Sequence, residues 1–133
     1  MFCCAFLYYI SLMEWTIEYL VDEKLLYIKT KGILTKEEAN SMLRDVVEAM
    51  KKHECHKQLV DHRDTVFELT ILEYYERPDV NKEIGMSYSW KIAMVFKELS
   101  ENTRFMETVF RNRGYNFQQF DDIEEARKWV LSE

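Results

Sequence analysis

Proline occurs once in this chain and glycine three times. So few chain breakers exclude collagen-like and loop-dominated low-complexity proteins, and they leave long stretches free to form regular structure. Cysteine is also scarce: Cys3, Cys4 and Cys55 are too few and too badly spaced for a disulfide framework, because adjacent cysteines seldom bridge and a third is left over. A reducing, cytoplasmic compartment is the expectation. Positive charge is not in excess either. Eighteen Lys and Arg face 24 Asp and Glu, for a net charge of −6 and a pI near 5.2, which opposes binding to a phosphate backbone, so no nucleic-acid partner is expected. No Ser elbow, Gly-rich phosphate loop or HExxH occurs, so the sequence carries no enzyme signature and implies no cofactor.

Long hydrophobic runs are missing as well. The apolar stretch from Phe2 to Met13 falls short of the roughly 20 residues a bilayer requires, and it lacks the basic start and small-residue cleavage site of a signal peptide. Two readings stay open for it. It is a buried or partner-covered strand, or translation starts at Met13; if present, its aromatics would seek a homodimer interface or the surface of a membrane. What remains, residues 14–133, is long enough for one domain with its own core, at 47% hydrophobic and 32% charged residues overall.

Periodicity then assigns elements. Trp15 to Val21 alternates apolar and polar residues, Asp22–Glu23 turns, and Lys24 to Lys31 follows, which predicts an antiparallel hairpin. Thr35-Lys-Glu-Glu38 reads as a capping box opening a helix to about Lys52, with Ala39, Met42, Leu43, Val46, Val47 and Met50 on one apolar face. Gln58-Leu59-Val60 is a short strand running into the polar cluster Asp61-His62-Arg63-Asp64. A second capping box, Thr70-Ile-Leu-Glu73, starts a helix expected to stop before Pro78. Asp79 to Ser89 reads as a loop or short helical turn and a candidate lid. Trp90 to Phe96 has the near-continuous apolar run of a strand buried on both faces. A helix from about Glu101 to Arg113 with Gly114 as its stop, a strand Tyr115 to Phe120, a third capping box Asp122-Ile-Glu-Glu125 and a helix to Leu131 complete the chain. A hairpin followed by alternating helices and strands predicts a single α/β domain with mostly parallel pairing and right-handed crossovers.

Several phrases, taken with this order, carry a resemblance: Gly32 to Ala39 (GILTKEEA), Leu59 to Asp64 (LVDHRD), Lys91 to Phe96 (KIAMVF), Phe110 to Gly114 (FRNRG) and Asp121 to Val130 (DDIEEARKWV). From about Glu14 to Leu131 the chain resembles the STAS-like, or SpoIIAA-like, domain family. The resemblance implies a sheet wound as a β–α superhelix and a non-enzymatic role. It further implies one of two functions. Some relatives are anti-sigma-factor antagonists, regulatory proteins whose partner binding is switched by phosphorylation of a Ser or Thr at the start of the helix after the central strand. Other similar domains hold an apolar or lipid-like ligand between sheet and helices. The DSSG-type motif of the phospho-switch relatives is absent here, which leaves Thr70 at the helix start and Thr65 before it as phosphoacceptor candidates.

Each candidate residue also has a plainer role. Thr70 is fully accounted for as an N-cap. Asp61, Arg63 and Asp64 form either a ligand-facing cluster at a strand end or ion pairs that fix a loop. Phe67, Tyr74, Tyr75, Met86 and Tyr88 would line an apolar pocket with a few polar handles, with the Pro78 to Ser89 segment closing over it, or they are core. Tyr74 and Tyr75, being adjacent on a helix, cannot both face the core. His53, His56 and His62 lie near Cys55, but HECH lacks the second spaced pair of a zinc site, and no metal is assigned. The sequence thus favours a binding module for an apolar small molecule or lipid, with a regulatory protein-interaction domain as the alternative.

Overall fold

A computed structural model describes residues 13–133; the readings placed on the preceding segment lie outside the described residues. The elements follow in the order β1 (Met13–Leu20), β2 (Leu25–Leu34), α1 (Lys36–Lys52), β3 (Lys57–Phe67), α2 (Ile71–Ile84), β4 (Lys91–Val95), α3 (Glu101–Asn112), β5 (Asn116–Phe120) and α4 (Ile123–Leu131). They form one five-stranded sheet whose spatial order is the chain order, β1-β2-β3-β4-β5. Only β1 and β2 pair antiparallel; the other three pairings are parallel. This is the α/β arrangement expected, an N-terminal hairpin followed by βα units wound in one direction.

The helices divide unequally between the two faces. Residues of α1, α2 and α3 join the larger apolar cluster with Leu26, Ile28, Val60, Ile92 and Phe117 of the sheet. On the opposite face Leu25, Leu59, Ala93 and Val95 are covered by Ala126 and Val130 of α4. Strand residues one apart therefore belong to different cores, as the two-residue period of a strand requires. The six α1 residues named from spacing are all buried. At roughly 25 cal/mol per Å² of apolar surface, this double burial is the main force holding the sheet to its helices.

Helix α2 departs from expectation. It does not stop before Pro78 but continues to Ile84 and ends at Gly85, whose φ of 132° only glycine adopts at little cost. Proline removes one backbone hydrogen bond and crowds the carbonyl of Tyr74. Packing outweighs this: Tyr74, Arg77 and Pro78 are all buried, and the Arg77 guanidinium donates to Asn40 Oδ1 of α1 (2.7 Å) and Asn81 Oδ1 (2.6 Å). The segment expected to act as a lid is thus mostly helix, and Met86 just beyond it is 7% exposed and part of the core.

Two of the three capping boxes differ from the sequence pattern. Thr70 and Glu73 cap each other reciprocally, whereas Thr35 accepts from the Glu38 N–H and Asp122 accepts from Glu124 and Glu125 with the side chain of the N-cap alone. A reciprocal box not foreseen joins Ser100 and Thr103 at the start of α3.

Candidate functional site

The stretch expected to be a short strand followed by a charged turn is one continuous strand of 11 residues, β3. The polar residues Asp61 to Asp64 lie within it. Lys29 of β2 pairs with Asp61 and Lys31 with Asp64, so His62 and Arg63 together oppose the single residue Thr30. Such a bulge shifts the alternation of side chains along the strand. Before it Val60 and His62 face the three-helix layer; after it Thr65 and Phe67 do. Asp61, Arg63 and Asp64 all fall on the other side.

On that side they form a closed ionic cluster. The Asp61 carboxylate has no side-chain exposure. Arg63 grips it with two parallel bonds, Nε to Oδ1 at 2.9 Å and Nη2 to Oδ2 at 2.8 Å, and adds its backbone N–H to Oδ1 at 3.1 Å. Tyr27 donates its hydroxyl at 3.1 Å, and Lys29 Nζ lies 3.3 Å from both Asp61 and Asp64. Burial pushes the Asp61 carboxyl up, but the hydrogen bonds and charge of Arg63, helped by Lys29, outweigh it and hold the group well below the usual carboxylate range. Five donors on one carboxylate leave it little capacity for a ligand. The cluster ties β2 to the bulged strand.

On the helical side the bulge builds a different arrangement. Thr30 Oγ1 lies 2.6 Å from His62 Nδ1 and 2.6 Å from Thr65 Oγ1, so one buried hydroxyl joins both residues. His62 is 1% exposed, with the Phe67 ring edge-on at 4.9 Å and the Phe96 ring stacked at 5.7 Å. Burial lowers its pKa to about 3, so the imidazole is neutral. Its Nε2 has no hydrogen-bond partner. A cleft of about 220 Å³ opens here, at the carboxyl ends of β3 and β4 and the amino end of α3, with His62, Thr65, Phe67, Tyr74 and Phe96 among its lining.

The expected pocket residues are therefore separated. Phe67 and Tyr74 meet at the cleft, their rings stacked at 6.5 Å. Tyr75 is half exposed, with the Arg113 guanidinium over its ring at 5.2 Å. Tyr88 also projects outward and stacks on Tyr115 at 4.4 Å. Of the phosphoacceptor candidates, Thr70 is exposed at the start of α2 and Thr65 is half-buried beneath the cleft. Cys55 donates its thiol to the carbonyls of Lys24 and Lys57, and His53 stacks on Tyr19. His62 lies midway along β3, away from both.

Sequence reasoning missed His62 as a pocket residue, together with Thr30, Phe96 and Ser100. One signal was present: Thr65-Val66-Phe67 has the β-branched and aromatic composition of a strand, so β3 could have been carried past Val60. It also missed an exposed apolar patch beside the cleft. Ile71, Leu72 and Tyr75 on the first turns of α2 are 58%, 62% and 50% exposed, while Val66 near the end of β3, 63% exposed, lies on the other side of the sheet with Asp64.

Comparison with known proteins places the fold. No protein-family model and no curated protein matches the chain. Solved structures do. An anti-sigma factor antagonist from Mycobacterium paratuberculosis aligns with a TM-score of 0.61 at 10% identity, over 90% of this chain and 95% of that one. An uncharacterised DUF3478 protein with a SpoIIAA-like fold from Shewanella loihica PV-4 gives 0.57 at 20% identity, over 89% and 93%. The anti-sigma factor antagonist SpoIIAA in its unphosphorylated form gives 0.53 at 14% identity, over 90% and 100%. The chain has a SpoIIAA-like fold; at these identities the likeness extends to the fold alone.

Proposed function

We propose that this protein is a regulatory protein-interaction domain, comparable in role to the anti-sigma factor antagonists whose fold it has, and that it docks a partner protein through the start of α2. The observation that carries this is the patch of Ile71, Leu72 and Tyr75 on the first turns of α2. Three large apolar side chains exposed within five residues on one flank of a helix are costly to leave in water and are typical of a docking surface. Glu68 and Glu76 are exposed nearby, so the complementary surface is apolar at its centre and basic at its rim. The cleft is smaller than the roughly 300–1,000 Å³ of typical drug-sized ligand pockets, and Met86 and Tyr88 lie away from it; both weigh against a lipid held between sheet and helices.

Phosphorylation of Thr70 would act directly on this surface. The residue is exposed, at a helix amino end where a phosphate meets free N–H groups and the helix dipole. The added charge would also repel Glu73, which bonds the Thr70 amide at 2.9 Å, and would sit next to Ile71 in the chain.

The test uses proximity cross-linking in cells to find partners, followed by binding of each purified partner to the wild-type protein and to the Ile71→Asp/Leu72→Asp variant. Both side chains project into solvent, so the variant keeps its fold and unfolding midpoint while affinity falls at least about a hundredfold, as loss of central interface anchors does. A partner that binds both proteins equally, with footprints elsewhere, overturns the proposal.

A further inference from the structure

The cleft beneath His62 has a second property that a docking surface does not require: its polar groups are arranged to accept an anion. Thr30 carries one hydroxyl proton and has three neighbours for it, His62 Nδ1 at 2.6 Å, Thr65 Oγ1 at 2.6 Å and the Asp61 carbonyl at 3.3 Å. Thr65 brings a proton of its own and satisfies Thr30 as a donor. The direction of the 2.6 Å contact between Thr30 and Nδ1 depends on the imidazole tautomer; with Thr30 donating to Nδ1, the imidazole proton is on Nε2. That N–H is buried, neutral and without an acceptor. A donor in that condition costs about 1–3 kcal/mol unless something accepts from it.

The amino end of α3 adds further donors. Of its first four N–H groups, Thr103 is taken by Ser100 Oγ at 3.1 Å and Arg104 by the Ser100 carbonyl at 3.0 Å. The amides of Glu101 and Asn102 have no acceptor among the described residues. Ser100 and Asn102 line the cleft, and so does Lys97 from the preceding connection. Glu98 is the one acidic side chain in the lining, and it is exposed. The remaining walls, Phe67, Tyr74 and Phe96, are flat and apolar.

We infer that this cleft binds a small carboxylic acid with a flat apolar body, its carboxylate on Lys97, the free α3 amides and His62 Nε2, its body among the three aromatic rings. The volume of about 220 Å³ confines the ligand to roughly the size of benzoate. Nε2 is shielded from bulk water, and the half-buried Phe67 ring stands edge-on to the imidazole at 4.9 Å. The ligand requires neither the exposed patch on α2 nor a protein partner.

Benzoate titrated into the isotopically labelled full-length protein tests this by NMR, with benzamide and inorganic phosphate as comparison probes. In the free protein the His62 resonances should report the proton on Nε2. Benzoate should then move those resonances and the amides of Glu101 and Asn102 in a saturable way at millimolar concentration or below. Benzamide, lacking the charge, should bind at least about tenfold more weakly, and phosphate, lacking the apolar body, should bind more weakly still. The exposed Lys97→Ala substitution leaves the fold intact and should weaken benzoate about tenfold, whereas Ile71→Asp/Leu72→Asp should leave it unchanged. An unprotonated Nε2, no saturable shift in the millimolar range, equal binding of benzamide or phosphate, or an unaltered affinity in Lys97→Ala would each overturn the inference.

Discussion

Two neighbouring residues of β3 show how the alternation of a strand gives adjacent side chains opposite electrostatic fates. Asp61 is buried but surrounded by donors, and it stays ionised. Replacing it with Asn leaves Arg63 and Lys29 without their shared counter-charge. Breaking a fully buried pair costs about 3–5 kcal/mol; here the Arg63 and Lys29 side chains keep 40% and 42% exposure, so Asp61→Asn should lose about 2 kcal/mol, read from urea unfolding at neutral pH. His62 is buried beside aromatic rings and stays neutral. Unfolded, its imidazole titrates near 6.5; folded, burial lowers it to about 3. Between those values the unfolded chain binds the extra proton, so stability falls on acidification, by at most about 1.4 kcal/mol per pH unit. Asp61, with its folded pKa depressed, contributes in the same direction, but only below about 3.9. Urea midpoints followed from neutral pH down to about 4.5 therefore isolate the imidazole, and His62→Gln should flatten the profile across that range. An unchanged slope in the variant would locate the acid sensitivity elsewhere.

At the scale of elements, α2 is the informative case, because sequence rules and structure part within it. Its capped start at Thr70 is written in the residues: a hydroxyl and a carboxylate three apart satisfy each other whatever lies around them. Its continuation past Pro78 is not, since that depends on Asn40 of a different helix reaching Arg77. Its end is again local. Gly85 takes a φ of 132°, and a Cβ built there would lie 2.8 Å from Val47 Cγ1 of α1. Gly85→Ala should therefore combine backbone strain with a clash against a buried side chain, for a loss of about 2–3 kcal/mol in chemical denaturation. A loss below about 0.5 kcal/mol would mean that α2 ends by some other means. The bulge of β3 belongs with Pro78. Register is a property of two strands at once, and nothing in Asp61 to Asp64 alone announces that Thr30 is to be faced by two residues.

Over the whole molecule, what could be read in advance was what repeats. The spacing of Ala39, Met42, Leu43, Val46, Val47 and Met50 marks a helix face wherever that helix packs, and the alternation of hairpin, helices and strands leaves few arrangements to choose from. What could not be read depends on residues distant in sequence meeting: Thr30 with His62 and Thr65, Phe96 with His62, Ser100 beside Phe67. Asp61, Arg63 and Asp64 meet in one ionic cluster, while Phe67 and Tyr74 lie across the sheet from them. Among the described residues, no helix is long and apolar enough to cross a membrane.

Because the strands lie side by side in the order in which they are encoded, each one from β2 onward emerges from the ribosome with its neighbour already made. No strand waits for a later one to be inserted between it and its partner. The two faces of the sheet do not share this advantage. Each crossover helix arrives between the strands it spans, but the face that carries Leu25, Leu59, Ala93 and Val95 is covered by α4, which follows all five strands in the chain. That side of the growing sheet thus stays bare until α4 has been made, later than every strand it covers.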